Sequence, residues 1–125
     1  MKKLKLEGFT LIELLIVIAI IGILAVVLIP SLLAAQQRAY DTSANMCAKS
    51  IQTAMAIVKS DTQSYASITN VTFLKALDGI APPCNQTTVT ITVVTAPSAS
   101  DYGYSVIDSR GTKTFTVGPF SLTKI

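Results

Sequence analysis

Glu13 is the one ionisable residue at the head of a stretch otherwise built for lipid: from Leu14 to Ala35 no side chain carries a charge. About 20 such residues, rising about 1.5 Å each as a helix, match the hydrocarbon core of a bilayer. A carboxylate beside such a span costs about 2.5 to 3.5 kcal/mol at the helix centre and less towards an end, so its presence calls for a specific partner. The partner the sequence offers is a new amino terminus made just ahead of it. Elsewhere, Cys47 and Cys84 are the only cysteines, and histidine is absent. That absence removes the commonest general base and the commonest metal ligand, and the cysteines are too far apart for a zinc motif. No glycine-rich phosphate loop or nucleophile motif is present either. The chemistry on offer is charge pairing and one disulfide, so no catalysis, cofactor or metal is expected.

The elements around Glu13 set its position. Lys2, Lys3 and Lys5 precede the apolar run, while Arg38 and Asp41 follow it. The positive-inside bias then places residues 1–8 in the cytoplasm and the rest outward. An ordinary secretory signal would be cut beyond its apolar core; Ala35 suits such a site, but Leu33 fits poorly and Glu13 has no place in a signal core. Gly8 is a better place to cut, because a peptidase at the membrane face can approach a backbone that carries no side chain. Losing residues 1–8 removes three lysines and Glu7, which takes the formal charge from +3 to +1. Near-neutral subunits repel one another little and can pack side by side.

Taken together, the lysine-rich leader, Gly8, Phe9-Thr10-Leu11-Ile12-Glu13-Leu14, Gly22 and Pro30 resemble the N-terminal signature of type IV pilins and pseudopilins, over residues 2–36. The resemblance implies a prepilin peptidase and N-methyltransferase that cuts between Gly8 and Phe9 and methylates the Phe9 nitrogen. It implies that Phe9, Glu13, Gly22 and Pro30 serve assembly, with Glu13 meeting the Phe9 nitrogen of a neighbour. The subunit would wait in inner-membrane lipid, meet an assembly platform, and join a homopolymer of identical or related pilins at the cell surface. Two other readings stand beside this one. A pseudopilin of a type II secretion or DNA-uptake system has the same N-terminus, and a monomeric membrane-anchored binding module would not lose polymerisation when Glu13 is changed.

The chain has room for one small domain besides the tether. Its expected organisation is a leader at 1–8, a hydrophobic stem at 9–36 and a globular head at 37–125. One helix is expected from Phe9 to Lys59, whose upper half carries an apolar stripe of Tyr40, Ala44, Cys47, Ile51, Ala54 or Met55, and Val58. Within the stem, Pro30 cannot donate to Val26 and Gly22 costs about 1 kcal/mol relative to Ala, so residues 22–30 form a weak segment. It should hold in lipid and open in a filament core. Thr87–Thr95, Tyr102–Asp108 and Lys113–Val117 read as strands, with turn residues between them. The expected fold is α+β, a long helix covered by an antiparallel meander of about three strands. Asn70 reads as the cap of a short helix over Val71–Leu77, with Gly79 beyond its end. Asn70-Val71-Thr72 and Asn85-Gln86-Thr87 also match a glycosylation pattern, with capping the preferred role for Asn70.

An outward-facing head lies where thiols oxidise, so Cys47 on the stripe and Cys84 before the first strand are expected to form a bridge; two buried thiols are the alternative. Many pilins instead carry their paired cysteines near the C-terminus, around an exposed loop. Asp78, Asp101 and Asp108 read as caps of turns and strand ends, with a calcium loop at Asp101 as a weaker reading. Arg110, Lys113 and Lys124, with Tyr102 or Tyr104 as stacking faces, would make a small DNA-binding patch, although solvated surface is the plainer reading.

Overall fold

The computed structural model describes residues 8–125; Lys2, Lys3, Lys5 and Glu7 of the basic leader lie outside them. It resolves into two compact units divided after Ala35. The longest element is helix α1, Leu11–Thr62, close to the expected span. In the first unit its apolar side chains, from Leu11 through Leu33, stand exposed. An apolar helix with no face covered by its own chain is a span or a packing surface. The helix continues through Pro30, whose missing N–H leaves the Val26 carbonyl without its in-helix donor.

In the second unit the stripe on α1 is wider than the sequence pattern suggests. Ala44, Cys47, Ala48, Ile51, Ala54 and Met55 are all buried, so Ala48 joins it and both Ala54 and Met55 belong. Tyr40 and Val58, at its two ends, are only half-buried. Three alanines keep the helix surface shallow, and Tyr104, Val106, Phe115 and Val117 of the sheet fill the space above it in one core.

The sheet is antiparallel, in the order β1 (Val89–Thr95), β2 (Gly103–Asp108), β3 (Thr114–Val117) and β4 (Leu122–Lys124). Apolar-in, hydroxyl-out alternation holds through the middle of the sheet and breaks at its ends, where Val93, Val94 and Ile107 are exposed and Asp108 is buried. Ile91 pairs with Val106 and Val106 with Phe115 on the core face, while Thr92, Ser105, Thr116 and Thr123 form one row on the other. The meander therefore has four strands where three were expected. β4 has only three residues and its Leu122-Thr123-Lys124 is too short to show a period of two. β1 begins at Val89 because the Val89 amide closes a turn onto the Gln86 carbonyl.

Between helix and sheet, α2 is shorter than expected, Val71–Lys75, with Asn70 as its cap: the side chain accepts from the Phe73 amide at 3.0 Å. A 3-10 turn at Pro82–Asn85 carries Cys84. Two consecutive prolines fix φ for that turn and supply no amide that would need a partner.

Candidate functional site

At the start of α1 the residues marked for processing and assembly lie together. Gly8 is exposed, and a Cβ built on it would meet nothing within 4 Å. Nothing in the folded chain thus requires a glycine there, so any demand for a small residue comes from outside, as a peptidase would impose. Phe9 is 74% exposed. Glu13 is not a bare charge: its Oε2 accepts from the Thr10 amide at 2.9 Å and from the Thr10 hydroxyl at 2.5 Å, and its own amide donates to the Thr10 hydroxyl at 3.3 Å. This is a capping box, in which the residue ahead of the helix and the third residue inside it satisfy each other's backbone groups. The sequence reading missed Thr10, although Thr-x-x-Glu before an apolar run is a recognised start signal. Gly22 also has open space around it. Gly22 and Pro30 lie well along the helix, two and more turns beyond the Glu13 cluster.

In the second unit the Cys47–Cys84 disulfide is present, with Cα atoms 5.0 Å apart and the partners separated by 37 in sequence. Both cysteines are buried. The bond fastens the 3-10 turn to the stripe on α1, and closing a loop of that size stabilises by roughly 4 kcal/mol in the chain-entropy model.

A polar latch fastens the β2–β3 turn to α1. The Asp41 carboxylate accepts from the Thr112 amide (2.7 Å), the Lys113 amide (2.8 Å) and the Thr112 hydroxyl (3.1 Å). Burial acts to raise its pKa, but the Lys113 and Thr112 bonds prevail and hold it below the usual carboxylate value. Gly111 sits so close that a Cβ there would run into the Asp41 carboxylate. Asp108, fully buried at the end of β2, receives two guanidinium bonds from Arg110 at 3.0 and 2.9 Å and the Arg110 amide at 3.0 Å. The Arg110 side chain is the main cause that holds the Asp108 carboxyl low, against burial. Arg110 also bonds Gln86 and lies over the Tyr40 ring, 4.1 Å from its centre. So Asp108 caps its turn as expected and, in addition, holds a buried ion pair.

These contacts overturn the stacking part of the DNA-binding reading. Arg110 is occupied within the fold, and Tyr102 and Tyr104 are 2% and 0% exposed, with no face free for a base. Tyr102 packs edge-on against Tyr65 at 4.8 Å. Burial first, then its neighbours Tyr65, Tyr104 and Asp101, push the Tyr102 phenol up to about 12. The Asp101 carboxylate bonds the Tyr102 amide at 2.9 Å, a turn-capping role, and no cluster of three metal-ligating side chains occurs among the described residues.

A family model described as the prokaryotic N-terminal methylation motif matches residues 6–29. The type IV wide pilus major component PilA4 of Thermus thermophilus is 44% identical over 113 residues, which is 90% of this chain and 82% of that protein. The type IV major pilin protein PilA of Myxococcus xanthus is 43% identical over 64 residues, 51% of this chain and 29% of that protein. The first similarity runs far beyond the N-terminal motif, through helix, disulfide region and sheet alike, and on that extent the chain belongs to the type IV pilin family.

Proposed function

We propose that this chain is a structural subunit of a type IV pilus, cut between Gly8 and Phe9 and assembled from the inner membrane. The observation that carries this reading is the first unit of the fold: a helix apolar on every side, none of it covered by its own chain, with one carboxylate at its start. Lipid covers such a surface before assembly, and the stems of neighbouring subunits cover it afterwards. Since lipid is as apolar as the stem, transfer between the two offers little net hydrophobic gain. Packing and charge pairing must therefore fix the register, and Glu13 supplies the charge. Cleavage at Gly8 would put a cationic amine on Phe9, which a neighbour's Glu13 can bind.

The leader stays cytoplasmic, held by its lysines, and the head faces outward, where the disulfide forms. Relatives named as pilus components favour a pilus over a secretion pseudopilus. The prepilin peptidase and an assembly platform are the expected partners. Of the basic patch that would favour DNA, only Lys113 and Lys124 are left.

Glu13→Leu and Gly8→Leu test the reading in the native host. With Glu13→Leu, cut subunits should accumulate in the membrane and surface filaments should vanish under electron microscopy. With Gly8→Leu, mass spectrometry should find the uncut precursor. Normal filaments from either variant would overturn the assignment of that residue, and a wild-type chain absent from any filament would overturn the function.

A further inference from the structure

Four charged groups of the head are engaged within the fold, and five of the other eight fall into two sets at opposite ends of it, leaving Lys49, Lys75 and Asp78 outside both sets. Residues 36–125 carry only twelve charges. Arg110 and Asp108 consume each other, Asp41 is bound by amides, and the Lys59 ammonium bonds the Gln63 and Ala99 carbonyls at 2.7 Å each. At the end where the β2–β3 turn rests on Asp41 lie Arg38, Lys113 and Lys124, with no ion pair among the described residues apart from the attraction between Lys113 and Asp41. Lys124 pairs in register with Phe115 at the start of β3, which places it at that same end. At the end where α1 closes and the β1–β2 loop rests on Lys59 lie Asp61 and Asp101. With Asp41 and Lys59 counted, since bonds to neutral amides and carbonyls leave their charges in place, the first end is net positive and the second net negative.

From this polarity we infer that the two ends are the two sides of one interface: the acidic end of one head docks on the basic end of a second copy of this chain. The inference rests on the pilus-subunit reading. Symmetry decides between the pairings. Two copies meeting through like ends would set like charges against each other. Contact through unlike ends is attractive, uses two different surfaces, and repeats without closing, which generates a filament of subunits all pointing the same way. Phe120, 97% exposed in the turn between β3 and β4, lies at the sheet end that carries Asp101 and supplies the apolar centre that such charged rims usually surround.

The contact can be read in wild-type filaments without any variant. Carbodiimide joins a carboxylate to an amine only where the two touch. Mass spectrometry should then find peptides of Asp61 or Asp101 coupled to Lys113 or Lys124 between subunits. Filaments that yield inter-subunit couplings elsewhere but none between these residues would overturn the inference while leaving the pilus reading intact. Charge reversal gives a second measurement. Asp61→Lys with Asp101→Lys, or Lys113→Glu with Lys124→Glu, should each cut filament yield roughly tenfold or more, and subunits carrying all four changes should recover it. Folding is checked by the Cys47–Cys84 bond in membrane-held subunits. Wild-type yield from either reversed set would also overturn the inference.

Discussion

Thr10, Asp41 and Asp108 hold backbone and charge in place with single side chains, and each has a measurable signature. Replacing Thr10 with Val should remove the hydroxyl half of the capping box and leave the backbone amide of residue 10 bonded to the Glu13 carboxylate, at a cost of about 1 kcal/mol to the first turn of α1. Amide hydrogen exchange at Leu11–Glu13, with the subunit in detergent micelles, should accelerate roughly fivefold, while Thr10→Ser leaves it near the original rate; equal rates in all three would exclude the cap. Asp41 and Asp108 both titrate below the ordinary carboxylate range, so the unfolded chain takes up protons first as pH falls. Their stabilisation is complete above about pH 5 and drains away below about pH 4. Thermal unfolding followed by circular dichroism should show that fall, and Asp41→Asn should lower stability at pH 7 by about 1 to 2 kcal/mol and shrink the fall in acid. An unchanged pH profile in the variant would mean that the latch contributes nothing. Glu13 was legible in the sequence because a charge among apolar residues stands out. Asp41 was not, because its donors come from more than 70 positions along the chain, and no local pattern encodes such a pairing.

At the scale of elements, α1 and the strands were readable because period and composition persist over many residues, while α2, the 3-10 turn and β4 are too short to declare themselves. Length also explains how α1 tolerates Pro30: several turns of intact hydrogen bonds on either side hold one defect in line. Its tolerance depends on surroundings. A free Val26 carbonyl in lipid has no substitute donor, so the rest of the helix stays wound around it. In a filament core, neighbouring chains offer donors, and the segment from Gly22 to Pro30 should unwind. Cryo-electron microscopy of the filament should show extended backbone there, with helix resuming beyond it. Unbroken helical density through residue 30 would leave Pro30 as no more than a kink.

At the scale of the molecule, one covalent bond joins elements that the chain order keeps far apart. Changing Cys47 and Cys84 to Ser together should lower the stability of the head by about 2 to 5 kcal/mol, read as a fall in unfolding midpoint. Subunits lacking the bond should still enter the membrane, since the stem directs that step, but give fewer filaments. A midpoint unmoved by the double change would show that packing alone holds the 3-10 turn. Both the pair and the α+β arrangement were legible, because a helix with one apolar stripe requires a sheet to cover it. The separation of free charges towards two ends was not legible. It emerges only once the fold brings Arg38, Lys113 and Lys124 to one end and Asp61 and Asp101 to the other.

The same bond changes what a protease can do to the assembled structure. It encloses residues 48–83, and with them α2 and nearly all the irregular backbone between α1 and β1, the places where an attacking enzyme finds extended, exposed chain. A cut anywhere inside that interval frees nothing, because the two pieces remain tied through sulfur and the stem keeps its hold. Old filaments would then carry silent nicks: one band on a gel run without thiol, two bands once the sample is reduced.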